Sequence, residues 1–159
     1  MKPTLRFLVS DPAHFIALGF GSGLMPKGPG TAGTLVGWLL FPFVRAPLSD
    51  PLFGGLLLAS FLFGILACER TGRALGVADH GGIVWDEIVA IWLVLWLTPP
   101  TLAWQTTAFV LFRFFDIVKP PPIRWVDERT RGGLGVMFDD LLAAGYTLLV
   151  LALLVRLTA

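Results

Sequence analysis

Apolar residues in this chain come in long runs separated by short polar or proline-rich breaks. The first run begins at 34–44 and is ended by Arg45, Pro47, Asp50 and Pro51. The second, 52–68, is just long enough to cross about 30 Å of hydrocarbon at about 1.5 Å per residue. The third, 83–97, is closed by Thr98, Pro99 and Pro100; the fourth, 101–118, by Lys119 and three prolines; the fifth covers 136–157. Residues 11–24 are moderately apolar but broken by His14, Gly19, Gly21 and Gly23, and are predicted to form a re-entrant or interfacial segment. The expected architecture is an all-α membrane protein: one integral-membrane domain over 1–159, a small bundle of four to five hydrophobic helices. There is no internal repeat.

Composition supports that class. Of 159 residues 55% are apolar and only 14% charged, with a mean hydropathy of +0.78. Soluble domains carry about 25% charged residues. A net charge of +1 and the lack of a basic stripe exclude an electrostatic nucleic-acid binder. The single cysteine, Cys68, lies in an apolar run and is expected to be a small buried hydrophobe. Residues 1–10 are too short and polar for a cleavable signal peptide. Trp38, Trp85, Trp96, Trp104 and Trp125 are candidate interface markers, with lipid-facing bulk as the alternative.

Orientation follows from Lys and Arg. The 119–131 loop, with Lys119, Arg124, Arg129 and Arg131, is placed in the cytoplasm, and alternate crossings put Lys27, Arg70 and Arg73 on the same side. Arg45 and Arg156 fall on the other. With that topology Asp86 and Glu87 enter the third run from inside, Asp116 ends the fourth inside, and Asp139 and Asp140 enter the fifth from inside. Carboxylates in a bilayer core cost about 2.5–3.5 kcal/mol each on insertion scales, so five in one shallow layer are expected to serve one site.

Each motif has two readings. The Gly28-Pro29-Gly30-Thr31-Ala32-Gly33-Thr34 stretch is expected to be a turn-rich loop opening a helix, where free N–H groups and a threonine hydroxyl bind phosphate. The alternative is an ordinary turn with Thr31 or Thr34 as N-cap. Asp86 and Glu87 point about 100° apart on a helix, so one suits a metal and the other a water or basic partner; the alternative is a first turn favoured by the helix dipole. His80, in the loop before them, is either a proton-transfer and phosphate-contacting group or a capping residue. Arg113 and Asp116, at i and i+3, form either a private ion pair or a divided site. In the divided site Asp116 helps hold metal while Arg113 and Lys119 grip phosphate oxygens. Asp139 and Asp140 at a helix entrance suggest metal more than capping.

Taken together, these stretches closely resemble the phosphatidylglycerophosphatase A family. The matching residues are Gly21-Ser22-Gly23 with Pro29-Gly30-Thr31; Asp79-His80-Gly81 with Val84-Trp85-Asp86-Glu87; Phe112-Arg113-Phe114-Phe115-Asp116 with Lys119-Pro120; and Gly132-Gly133 with Gly135-Val136-Met137 and Asp139-Asp140. They run in order from about residue 19 to 145. The resemblance implies a multi-pass enzyme of the bacterial inner membrane, acting at the cytoplasmic face in phospholipid biosynthesis. It would remove the terminal phosphate of phosphatidylglycerophosphate, a phospholipid substrate in the bilayer, with magnesium required.

On this reading Asp86, Glu87, Asp116, Asp139 and Asp140 share one or two Mg²⁺ ions as catalytic ligands. Gly30, Thr31, Gly33, His80, Arg113 and Lys119 contact phosphate. Two alternatives stand: a phosphatase of another lipid phosphate, and an ion-coupled transporter using the same carboxylates. A transporter would need them along a path near the midplane. Oligomeric state is open.

Overall fold

The computed structural model describes residues 2–158, and among these every regular element is helical. Three short pieces come first: α1 (Leu5–Leu8), α2 (Pro12–Ala17) and a 3₁₀ segment (Gly19–Leu24). Five longer helices follow, α3 (Pro29–Arg45), α4 (Asp50–Leu75), α5 (Trp85–Trp96), α6 (Leu102–Val118) and α8 (Gly132–Thr158), with the short α7 (Ile123–Arg129) before the last.

The helix boundaries have local causes. Thr101 accepts the Trp104 N–H and starts α6, and Lys119, with φ +46°, turns the chain out of it into Pro120-Pro121-Pro122. Asp11 caps α2 by accepting the Ala13 N–H at 2.9 Å, and Arg70 of α4 donates to it at 2.7 Å. Together these bonds hold the Asp11 carboxyl below the usual carboxylate range and tie the N-terminal pieces to α4.

One expectation is corrected at α3. Pro29 through Gly33 is not a loop but the first turn of the helix. Gly28 takes a left-handed conformation (φ +59°), Pro29 supplies the preset φ of a first helical position, and winding begins there. Gly33 and Gly37 then lie against α5: a Cβ at either would stand 2.6 Å from a side-chain carbon of Val84 or Ile91.

The third apolar run is also different in kind. α5 has 12 residues and rises about 18 Å, well short of a hydrocarbon core of about 30 Å. Ten of its residues are buried, by α3, α4, α6 and α8. It is the central post of the bundle. Trp85 is part of that post, 7% exposed with its Nε1 donating to Ser60 O at 3.1 Å, and so is not an interface marker. Trp125 of α7 is exposed, with Arg129 stacked on its ring.

Two helices, α4 and α8, are long and apolar enough to cross a membrane. The outer faces of the bundle are apolar: Phe43 is 77% exposed, Leu66 68% and Leu149 70%. Large exposed apolar side chains on several helices suit a hydrocarbon surrounding.

α4 and α8 approach each other at glycines. A Cβ on Gly133 would overlap Ile65 O and stand 2.8 Å from Glu69 N, both backbone atoms that cannot move aside. Glu69 Oε2 meanwhile accepts the Gly133 N–H at 2.7 Å, satisfying one free donor at the start of α8. Gly133→Ala is therefore expected to cost about 2–3 kcal/mol. Thermal unfolding in detergent checks this, and an unchanged midpoint would contradict the close contact.

Candidate active site

α5, α6, α8 and the start of α3 bring their chemistry to one end of the bundle. Asp86 and Glu87 lie in the first turn of α5, next to Trp85, whose Nε1 donates to Ser60 O of α4. Asp139 and Asp140 lie in the third turn of α8, and Arg113 and Asp116 near the end of α6. Asp86, Glu87, Asp139 and Asp140 are all buried.

Oxygens of Asp86, Glu87 and Asp140 lie within 4.8 Å of one another. Asp86 Oδ1, Glu87 Oε2 and Asp140 Oδ2 are buried with no hydrogen-bond partner among the described residues. Unpaired buried carboxylate oxygens are costly, and three together repel. A hard cation taking oxygen ligands removes both costs at once, so this acidic triad is a candidate metal centre.

The other two expected ligands are differently engaged. Asp116 Oδ2 is 2.5 Å from Arg113 Nη1, and Asp139 Oδ2 is 2.5 Å from Lys119 Nζ. Lys119 also reaches Asp127 Oδ1 of α7 at 3.1 Å, so its ammonium ties α6, α7 and α8 together. Asp139 Oδ1 is buried and has no partner among the described residues.

Arg113 Nη1 is the hub on the other side. Besides Asp116 it lies 3.5 Å from Glu87 Oε1, and it donates to Thr34 Oγ1 at 3.3 Å. Its Nε is buried and has no partner among the described residues. Gly30 explains how α3 comes so near. A Cβ there would overlap Glu87 Oε1 and stand 3.0 Å from Arg113 Nη2. Gly30 thus admits two site side chains.

The remaining phosphate candidates separate. Gly33 packs on Val84, Thr31 is exposed, and His80 Nδ1 accepts the Gly82 N–H at 3.0 Å, closing its own turn. Thr34, fully buried between Gly30 and Arg113, ended the 28–34 stretch and was offered there as an N-cap, but it was not named among the phosphate contacts. Its one available signal was a threonine in a helix, four residues after a glycine. Glu69 was missed as well; its partner Gly133 is 64 residues away.

An apolar helical bundle with a buried acidic triad at one end, faced by an arginine, has the make-up of a membrane-type protein with a candidate metal centre. The chain belongs to the phosphatidylglycerophosphatase A family, whose sequence profile matches residues 15–155. It is 44% identical over 151 residues to phosphatidylglycerophosphatase A of Haemophilus influenzae, covering 94% of this chain and 92% of that one. It is 43% identical over 143 residues to phosphatidylglycerophosphatase A of Escherichia coli, covering 87% and 80%. A putative phosphatidylinositol-3-phosphatase of Bacteroides thetaiotaomicron is 39% identical over 145 residues, covering 86% and 89%. No solved structure matches the chain.

The Lys119 arrangement is open to a direct check. Lys119→Met leaves Asp139 buried without its cation and is expected to cost about 3 kcal/mol. Adding Asp139→Asn should recover most of that loss in thermal unfolding. Equal instability of the single and double variants would contradict the pairing.

Proposed function

We propose that this protein dephosphorylates phosphatidylglycerophosphate to phosphatidylglycerol and inorganic phosphate, using magnesium, at the cytoplasmic face of the bacterial inner membrane. The observation that carries the reading is the triad: three carboxylates within 4.8 Å, each with a bare buried oxygen, beside an arginine whose Nε is also unpaired. The family and two relatives of that name point to the same substrate.

In this proposal Asp86, Glu87 and Asp140 hold the metal, and their all-oxygen, anionic donor set fits Mg²⁺. Magnesium held there would supply Lewis-acid neutralisation of the charge that develops on the phosphoryl oxygens. Asp116 and Asp139, each paired with a cation, serve as positioning carboxylates for Arg113 and Lys119. Arg113 grips two phosphate oxygens through the edge that carries its unpaired Nε, and Lys119 adds positive charge at the rim. Phosphorus is attacked either by water directly or by an aspartate whose acyl phosphate water then cleaves. The bond from phosphorus to the terminal glycerol oxygen breaks, and water supplies the oxygen of the released phosphate and the proton taken up by that glycerol oxygen.

The lipid tails stay in the bilayer, and only the headgroup reaches the site. Arg73, through Glu69, and Lys119, through Asp139, both sit against the first turns of α8, which supports a chain with this end in the cytoplasm. Transport is disfavoured because the carboxylates gather at one end rather than along a path. The Bacteroides relative favours one rival substrate class, a phosphorylated inositol lipid.

The test is phosphate release by purified protein from micelles of phosphatidylglycerophosphate, phosphatidylinositol 3-phosphate and phosphatidic acid, with Mg²⁺ and with chelator. Release from the first, abolished by chelator and restored by Mg²⁺, is expected. Asp140→Asn should lower kcat about a hundredfold or more. Faster release from the inositol lipid would move the substrate; no release from any in folded protein, or chelator-resistant release, would overturn the reading.

A further inference from the structure

We infer that Thr34 is a positioning residue, which holds the Arg113 guanidinium so that its Nε–Nη2 edge is presented to the substrate's phosphate. The inference rests on the function proposed above and assigns a role to a residue outside the acidic cluster.

Thr34 is fully buried on α3, 79 residues from Arg113 in sequence. Its hydroxyl hydrogen is committed: Oγ1 donates to Gly30 O at 2.8 Å. The oxygen can then only accept toward Arg113, and it does so from Nη1 at 3.3 Å. Nη1 is thereby surrounded by Thr34, Asp116 and Glu87. Nε, on the opposite edge with Nη2, is buried and has no partner among the described residues. A guanidinium offers five N–H donors in a rigid fork, and two parallel donors on one edge match two oxygens of a phosphate.

A neutral acceptor is what this geometry needs. With only Asp116 and Glu87 present, the fork would be free to turn and spend both edges on carboxylates as a private ion pair. A hydroxyl adds direction without adding charge, and its own fixed donor keeps it from rotating away. Thr34 also shares α3 with Gly30, whose missing Cβ leaves room for Nη2 at 3.0 Å. One helix turn therefore both admits the guanidinium and fixes its angle.

The test uses Thr34→Val, which keeps shape and loses the acceptor, with Thr34→Ala as a second variant and Thr34→Ser as the rescue. Unfolding midpoints are measured alongside to confirm that each folds. Thr34→Val is expected to lower kcat/KM on phosphatidylglycerophosphate about tenfold, the loss of one hydrogen bond to a charged group. Thr34→Ser should return to within about twofold of the parent, since it restores that bond.

In an Arg113→Lys background, Thr34→Val should add nothing, because the residue acts through the fork. Wild-type kcat/KM in both hydroxyl-less variants, a serine variant as impaired as valine, or losses that add in the double variant would each overturn the inference. Affinity for inorganic phosphate, read by calorimetry, is expected to weaken about tenfold in Thr34→Val as well. That readout needs no turnover. An inactive parent would sink the substrate assignment, whereas an unchanged phosphate affinity would sink the role of Thr34.

Discussion

Mutual repulsion among Asp86, Glu87 and Asp140 shapes this bundle. Three carboxylates with oxygens within 4.8 Å, buried among apolar helices, oppose folding unless something positive meets them. The protein supplies part of that charge itself: Arg113 reaches Glu87 and Asp116, and Lys119 reaches Asp139 and Asp127. These cations neutralise the periphery and leave the centre bare. Asp86, Glu87 and Asp140 each keep one buried oxygen without a hydrogen-bond partner among the described residues, and such oxygens suit a hard divalent ion.

The packing follows from the need to hold that centre rigidly. α5 is short and buried on nearly every side, which fixes the height and rotation of Asp86 and Glu87. α8 is pressed on α4 at Gly133, and Glu69 caps the same turn, which sets Asp139 and Asp140. α3 closes in through Gly30 and brings Thr34 to Arg113. Loss of a side chain at these glycines is thus a means of placing charges, not a concession to flexibility. The outer faces, with Phe43, Leu66 and Leu149 exposed, carry no such precision and suit a hydrocarbon surrounding.

Much of this was readable in the chain and some was not. The runs that become α4, α6 and α8 stood out because apolar length reports directly on burial or lipid contact. α5 did not stand out as short and central, since a buried helix and a spanning one look alike by composition over so few residues. The turn at 29–33 was read as a loop because glycine and proline usually signal one, yet Gly28 and Pro29 here begin a helix. The convergence of Asp86, Asp116 and Asp140 followed from counting crossings. Their division of labour did not, because it depends on partners such as Lys119 for Asp139 and Thr34 for Arg113, which no local pattern announces.

The most direct measurement is a Mn²⁺ titration of the detergent-solubilised protein followed by electron paramagnetic resonance, with the parent compared with Asp86→Asn, Glu87→Gln, Asp140→Asn and Asp127→Asn. Mn²⁺ accepts the same oxygen ligands as Mg²⁺. The account predicts stoichiometric binding by the parent and by Asp127→Asn, displaced by Mg²⁺ and lost in each of the three triad variants. Absence of binding in the folded parent, or undiminished binding when the triad is altered, would contradict the claim that these three carboxylates form the metal centre.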